Sequence, residues 1–232
     1  MSELKARYEQ VMEDVEKVCA RCGKKPGQDV HLVAVSKFFP AGDIRTVYDL
    51  GQRDFGENRA QEMSAKAPEL PEDIRWHFIG RLQRNKVKYI IDKACMIHSV
   101  DNLALAQEIS RQAQLKQVEM PVLLEVNLGG EESKAGMTEE EVRETMTAVS
   151  LLAGMKIQGL MTIGPYEEDP ENSRPLFKKM RELMEKARSW QIPGTEMKYL
   201  SMGMSHDFAA AIEEGANIVR VGSSIFGHRN YI

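Results

Sequence analysis

Apolar positions along the chain switch between two periods. Over residues 2–22, Leu4, Tyr8, Val11, Met12, Val15 and Val18 recur at three- and four-residue spacing, which predicts one amphipathic helix. Beyond it, short runs rich in β-branched residues alternate with longer helical patterns. The runs at 31–35 (HLVAV), 53–56 (RDFG), 75–79 (RWHFI), 95–99 (CMIHS), 120–126 (MPVLLEV), 156–161 (KIQGLM), 196–200 (EMKYL) and 217–221 (NIVRV) predict strands. Helical patterns follow them at 41–50, 57–67, 83–92, 102–116, 138–153, 171–190 and 205–214, with a short one after 222.

Strands and helices in strict alternation predict a parallel sheet with helical crossovers. Eight such units in about 200 residues suit a single (β/α)8 barrel of the TIM type, with an extra N-terminal helix and one domain over 1–232. An open doubly wound sheet is the alternative. Its dinucleotide-binding form is disfavoured, because no Gly-x-Gly-x-x-Gly opens the first helix.

Composition narrows the setting. Hydrophobic residues make up 42% and charged residues 28% of the chain, the balance of a water-soluble globule. A net charge of −4 gives no electrostatic reason for a nucleic-acid partner or an anionic membrane. No apolar run approaches the ~20 residues that span a bilayer, and the polar start MSELKARYEQ is no secretory signal, so a cytoplasmic protein is expected. Cys19 and Cys22 form a Cys-x-x-Cys on the predicted first helix with no second ligand pair nearby; together with Cys95 they are expected to be reduced thiols, with no metal.

In a barrel of this kind, functional side chains stand where strands end. The first strand ends in Val35-Ser36-Lys37, and period two puts Val33, Val35 and Lys37 on one face. If the valines fill the barrel, Lys37 projects into its mouth, where a partly desolvated amine can attack an aldehyde; otherwise it is a lysine whose stem packs while its ammonium reaches water. The seventh and eighth strands run into Ser201-Met202-Gly203-Met204-Ser205 and Arg220-Val221-Gly222-Ser223-Ser224. Loops at these two places often bind phosphate, and here each combines glycine with serine hydroxyls ahead of a helix. Ser205 and Ser223 acting only as helix caps is the plainer alternative. Arg220 can only donate hydrogen bonds; it either faces an acceptor in the mouth or pairs with a carboxylate such as Glu125.

At these residues the sequence resembles the pyridoxal phosphate homeostasis family, relatives of the N-terminal barrel of alanine racemase. The matching blocks are VAVSK (33–37), FGENRAQE (55–62), WHFIGRLQRNK (76–86), EVNLGGEESKAGM (125–137), GLMTIG (159–164), LSMGMSHDFAAAIEEGAN (200–217) and VRVGSSIFGHRNY (219–231). The resemblance implies a fold-type III barrel holding pyridoxal 5′-phosphate (PLP) as a Schiff base on Lys37. It implies phosphate contacts from Ser205 with its preceding turn (Met204) and from Gly222 and Ser223. Asn58 and His77 would line or back the ring, and Arg220 would face the ring nitrogen. A donor-only partner there requires an unprotonated nitrogen and hence a weak electron sink.

The implied function is non-catalytic: a PLP carrier serving intracellular PLP homeostasis, with PLP-dependent apo-enzymes as recipients. A PLP-dependent amino-acid racemase is the alternative, and a sugar-phosphate barrel with an aldolase-like lysine is a third reading of the same residues. The racemase's C-terminal domain has no counterpart after the eighth unit, which implies a monomer. The chain departs from the family at Lys37-Phe38-Phe39-Pro40, where Lys-Thr-Lys-Pro is common, and at Arg81, where proline often follows Ile-Gly. Lys134, in the acidic loop 129–136, is a candidate second acceptor for PLP or a solvated loop charge. His31 and His98 read as structural, His206 as a helix-start residue, and Met202 and Met204 as ring contacts or core.

Overall fold

The computed structural model describes residues 3–128 and 136–227. Eight parallel strands close into a barrel in sequence order. They are β1 (His31–Val35), β2 (Asp54–Glu57), β3 (Arg75–Phe78), β4 (Ala94–Val100), β5 (Met120–Glu125), β6 (Met155–Met161), β7 (Thr195–Ser201) and β8 (Ile218–Val221). Closure is made by β1 against β8, with Val33 opposite Arg220 and Ala34 opposite Val221. The helices are α1 (Glu3–Arg21), α2 (Ala41–Asp49), α3 (Ala60–Lys66), α4 (Leu103–Lys116), α5 (Glu139–Ser150), α6 (Arg174–Ser189), α7 (Phe208–Glu213) and α8 (Ser223–Phe226). No described helix is long and apolar enough to cross a membrane.

Alternation along the strands divides the apolar residues between two cores. Outward residues such as Leu32, Ala34, Phe55, Trp76 and Phe78 pack with the helices in one continuous ring. Inward residues Val33, Met96, Leu123, Met161 and Ile218 form a second cluster inside the barrel. Each fully buried aliphatic side chain stabilises the fold by about 1.5–3 kcal/mol before entropy is counted. The N-terminal helix α1 buries Tyr8, Val11, Val15, Val18 and Cys19, and Arg7 donates to the carbonyls of Ile225 (2.9 Å) and Phe226 (3.3 Å), tying α1 to the last helix.

Several predicted helices are shorter than their patterns, each for a local reason. The expected 57–67 helix starts at Ala60 because Glu57 is still in β2, paired with Phe78. In 83–92 the chain forms a 3-10 helix, Arg84–Tyr89, rather than an α-helix; its larger rise per residue carries a short connection across the barrel wall. The 171–190 pattern divides into a 3-10 turn, Pro170–Ser173, and α6, with Pro175 tolerated in the first turn of the latter. The helix expected from 205 begins at Phe208, because the Asp207 carboxylate accepts from the Met204 N–H (2.7 Å) and holds the preceding residues in a turn.

Candidate functional site

Side chains from β1, β8 and the loops after β2, β6, β7 and β8 enclose a cavity of about 520 Å³ at the barrel mouth. That is within the range of sites that enclose one small cofactor. Lys37 reaches it as period two predicts: Val33 is in the inner cluster, and Val35 and Lys37 line the cavity above it.

The turn that carries Lys37 is fastened from behind. Glu57, fully buried, accepts through Oε1 from Ser36 Oγ (2.8 Å) and Lys66 Nζ (2.7 Å). Lys66 also donates to the Ser36 carbonyl (3.1 Å), and Glu62 accepts from the Phe38 N–H (2.9 Å). Burial pushes the Glu57 carboxyl above its ordinary range, with Lys66 and Ser36 pulling it back. Phe38 lies at φ 70°, a left-handed conformation that costs a bulky residue about 1 kcal/mol.

Across the mouth, the loops after β7 and β8 are joined through two serine hydroxyls. Ser205 Oγ accepts from the Gly222 N–H (3.0 Å), and Ser224 Oγ donates to the Ser205 carbonyl (3.3 Å). Neither serine caps the helix that follows it in sequence, since the N-cap residues are Asp207 and Gly222; Ser205 Oγ instead reaches across to the start of α8, where the Ser224 N–H also points at it (3.5 Å). Gly203 makes the first loop possible: it sits at φ 87°, and a Cβ there would meet Ala211 Cβ at 2.5 Å. At Gly222 a Cβ would press on Val35 at 3.3 Å, so the backbone of this loop lies close against the end of β1. Met204, Ser205, Gly222 and Ser223 all line the cavity, as does Asn58, whose buried Oδ1 has no hydrogen-bond partner among the described residues.

Arg220 forms part of the cavity floor. Its guanidinium donates to Ser201 Oγ (2.5 Å) and to the Thr162 carbonyl (2.8 Å). No ion pair to Glu125 forms, so pairing with that carboxylate is not what holds it. Burial lowers its pKa to about 10, against the pull of Glu125 and Asp207, so it remains a cation at neutral pH. Burial, then Asp101, raises the Glu125 carboxyl to about 7.

Of the eight predicted site residues, seven line the cavity: Lys37, Asn58, Met204, Ser205, Arg220, Gly222 and Ser223. His77 does not. Along β3 the inward positions are Arg75 and His77, and Ile79, just past the strand end, continues that face at the level of the mouth, leaving His77 one layer deeper. There it contacts Asp54 through Nε2 (3.0 Å) and His98 through Nδ1 (2.9 Å), and His98 Nδ1 contacts Ser201 Oγ (3.0 Å).

The sequence pattern gives no role to Asp54, places Ser201 only within the segment running into the loop after β7, and gives no role to the loop after β6, whose Ile163, Pro165, Tyr166 and Glu167 wall one side of the cavity. The signal for the first two was present, since both fall on inward positions of their strands; the loop carries no periodic signal. Met202 is core, whereas His206 lines the cavity and its Nε2 contacts the Glu168 carbonyl (2.9 Å). Lys134 lies outside the described residues.

The class is that of closed parallel barrels with a lysine just beyond β1 and paired Ser/Gly loops after β7 and β8 around one mouth. The family model for the alanine racemase N-terminal domain matches residues 8–230, and the chain belongs to that family. Among similar proteins, the pyridoxal phosphate homeostasis protein of Aquifex aeolicus is 46% identical over 228 residues, covering 97% of this chain and 98% of that one. That of Escherichia coli is 33% identical over 235 residues, covering 100% and 99%. The solved structure of PipY from Synechococcus elongatus with PLP bound superposes with a TM-score of 0.80 at 37% identity, over 92% of this chain and 100% of that one. Alanine racemase from Corynebacterium glutamicum, at 15% identity and a TM-score of 0.72, shares the fold.

Proposed function

We propose that this chain binds PLP in the barrel mouth and carries it without turning over a substrate. Lys37 supplies the amine that joins the aldehyde carbon as a Schiff base, releasing water. The Met204-Ser205 turn, Gly222 and Ser223 hold the phosphate, Asn58 lies beside the ring, and Arg220 faces the ring nitrogen.

The observation that carries this reading is the convergence of an amine, two serine- and glycine-containing loops and a donor-only guanidinium on one cavity of about 520 Å³. Similarity to pyridoxal phosphate homeostasis proteins and to a PLP-bound relative supports it. PLP supplies an aldehyde and an electron-accepting ring when bound. Arg220, whose two described bonds are both donated, leaves the ring nitrogen unprotonated and the ring a weak sink, which suits storage better than carbanion chemistry. Partners of such a carrier would be apo-enzymes that need PLP.

One observation favours a racemase-like enzyme instead: Tyr166 and His206 line the cavity, and a racemase needs an acid/base group on each face of the substrate. Against it, His206 Nε2 is engaged by the Glu168 carbonyl and Tyr166 is 77% exposed. Visible absorption separates the readings. Protein incubated with PLP should turn yellow and lose the colour on borohydride reduction, while Lys37→Ala stays colourless. Amino acids incubated with the loaded protein in D2O should take up no deuterium at Cα; uptake that Lys37→Ala abolishes would establish the enzyme.

A further inference from the structure

Asp54, His77, His98 and Ser201 stand on inward positions of β2, β3, β4 and β7 and bond one to the next up to Arg220. The deep end is anchored by Arg75, which donates twice to Asp54 at 2.6 Å. Both ends of the row have fixed hydrogen-bond roles. Burial works against a charge on Asp54, but hydrogen bonds from Arg75 and His77 hold it well below the usual carboxylate range. Asp54 therefore only accepts, and His77 must carry a proton on Nε2. Arg220 only donates.

Between these ends, two hydrogen arrangements satisfy the 2.9 Å contact of the two rings. With both rings neutral, the Ser201 hydroxyl donates to His98 Nδ1, and His98 Nε2–H donates to His77 Nδ1. With one more proton, His77 Nδ1–H donates to His98 Nε2, and His98 Nδ1–H donates to Ser201 Oγ. That oxygen then accepts from His98 and Arg220 together. A single proton thus reverses two hydrogen bonds and changes what Ser201 offers to Arg220.

We propose that His77 and His98 form a one-proton switch that positions Arg220 through Ser201, making the guanidinium at the cavity floor responsive to the charge state of the barrel interior. Only its consequence for a ligand rests on the reading of the mouth as a PLP site; the rearrangement belongs to the protein alone. In the neutral row, each donor polarises the next and strengthens the bond from Arg220 to Ser201. In the charged row, Ser201 is shared between two donors, and a second cation lies below the floor.

Other groups set where the switch operates. His77 is faced by Asp54 of β2, which Arg75 holds from the far side, and by Cys95 and His98 of β4. Farther out, His31 of β1 and Tyr199 of β7 lie near Asp54 and Arg75, and Glu125 of β5 lies near Arg220. The described residues of β6 bring no group titrating near neutrality into the interior. Burial opposes charge on both rings. At His77, Cys95 and Asp54 overcome it and raise the pKa to about 9. At His98, burial, His77 and Arg220 act together and hold the ring well below its ordinary value. The extra proton of the charged row therefore belongs to His77 rather than His98.

Nitrogen-15 NMR of the protein without PLP tests this. As pH rises from 6 to 9.5, below the Arg220 pKa of about 10, His98 should move its proton from Nδ1 toward Nε2, His77 should change in the same step, and the Arg220 Nε–H signal should move with the same midpoint. Asp54→Asn should lower that midpoint by at least about one pH unit, the effect of losing an adjacent opposite charge. Should that variant not fold, Ser201→Ala decides: the histidine step should remain while the Arg220 signal stops following it. A single His98 tautomer from pH 6 to 9.5, or an Arg220 response over that range unchanged in Ser201→Ala, would overturn the proposal. Failure of the protein to take up PLP would end the functional reading and leave these results intact.

Discussion

Lys66→Met removes the cation from the fastening behind Lys37. Glu57 is fully buried, its Oε1 shared by Lys66 and Ser36 and its Oε2 without a partner among the described residues. Taking away one member of a buried ion pair costs about 3–5 kcal/mol, because the other charge is left uncompensated. Ser36 still donates to Glu57, which places the expected loss near the low end, about 3 kcal/mol. The loss should also depend on pH with a definite sign. The Glu57 pKa is already raised by burial and rises further without Lys66, so the destabilisation is felt at high pH and relieved as the carboxyl protonates on acidification.

The assay is urea unfolding by circular dichroism at pH 7.5 and 5.5, with Glu57→Gln/Lys66→Met as the second arm. The single variant should recover part of its deficit relative to wild type at pH 5.5. The double variant, with no charge left to strand, should regain most of it at both. A loss below about 1 kcal/mol at pH 7.5, or a double variant no more stable than the single one, would show that the buried charge is not what matters here.

Other substitutions probe the remaining supports. Gly203→Ala puts a methyl 2.5 Å from Ala211 Cβ at φ 87°, and should cost about 2 kcal/mol in the same unfolding assay, through combined backbone strain and overpacking. Phe38→Gly trades relief of about 1 kcal/mol of strain for the loss of Arg59 stacked 4.7 Å above the ring, and should stay within about 0.5 kcal/mol of wild type; Phe38→Ala, which loses the stacking and keeps the strain, should fall about 1 kcal/mol below it. Because its folded pKa is depressed, Asp54 contributes stability that is full above the unfolded carboxylate value near pH 4 and is lost progressively as pH falls from there toward its lower folded pKa. Asp54→Asn should therefore be less stable at pH 7 by more than about 1 kcal/mol, with a flatter decline between pH 5 and 3 in urea midpoints.

Much of this site is legible in the chain because its main parts follow period-two alternation or sit beside strand ends. Val33, Val35 and Lys37 share a face whatever the barrel's shear, and Ser205, Gly222 and Arg220 lie within a few residues of the ends of β7 and β8. What was hidden depends on register between strands. His77 stands opposite Gly56 and Met96, and only that stagger shows that Ile79, not His77, reaches the mouth. The same stagger brings Asp54, His98 and Ser201, distant in sequence, into one row. The helical pattern from 57 places Glu57 at a helix start, since nothing local marks it as the last residue of β2 held by Ser36 and Lys66. The loop at 163–167 walls the cavity through its path rather than through a pattern of residue types.

Mass spectrometry of the protein loaded with PLP, reduced with borohydride and digested, examines ligand, linkage and residue together. One phosphopyridoxyl adduct should appear on the peptide containing Lys37, and none on the corresponding peptide of Lys37→Ala. No adduct at all, or one carried mainly by another lysine while Lys37 stays unmodified, would contradict the assignment of Lys37 as the anchoring amine.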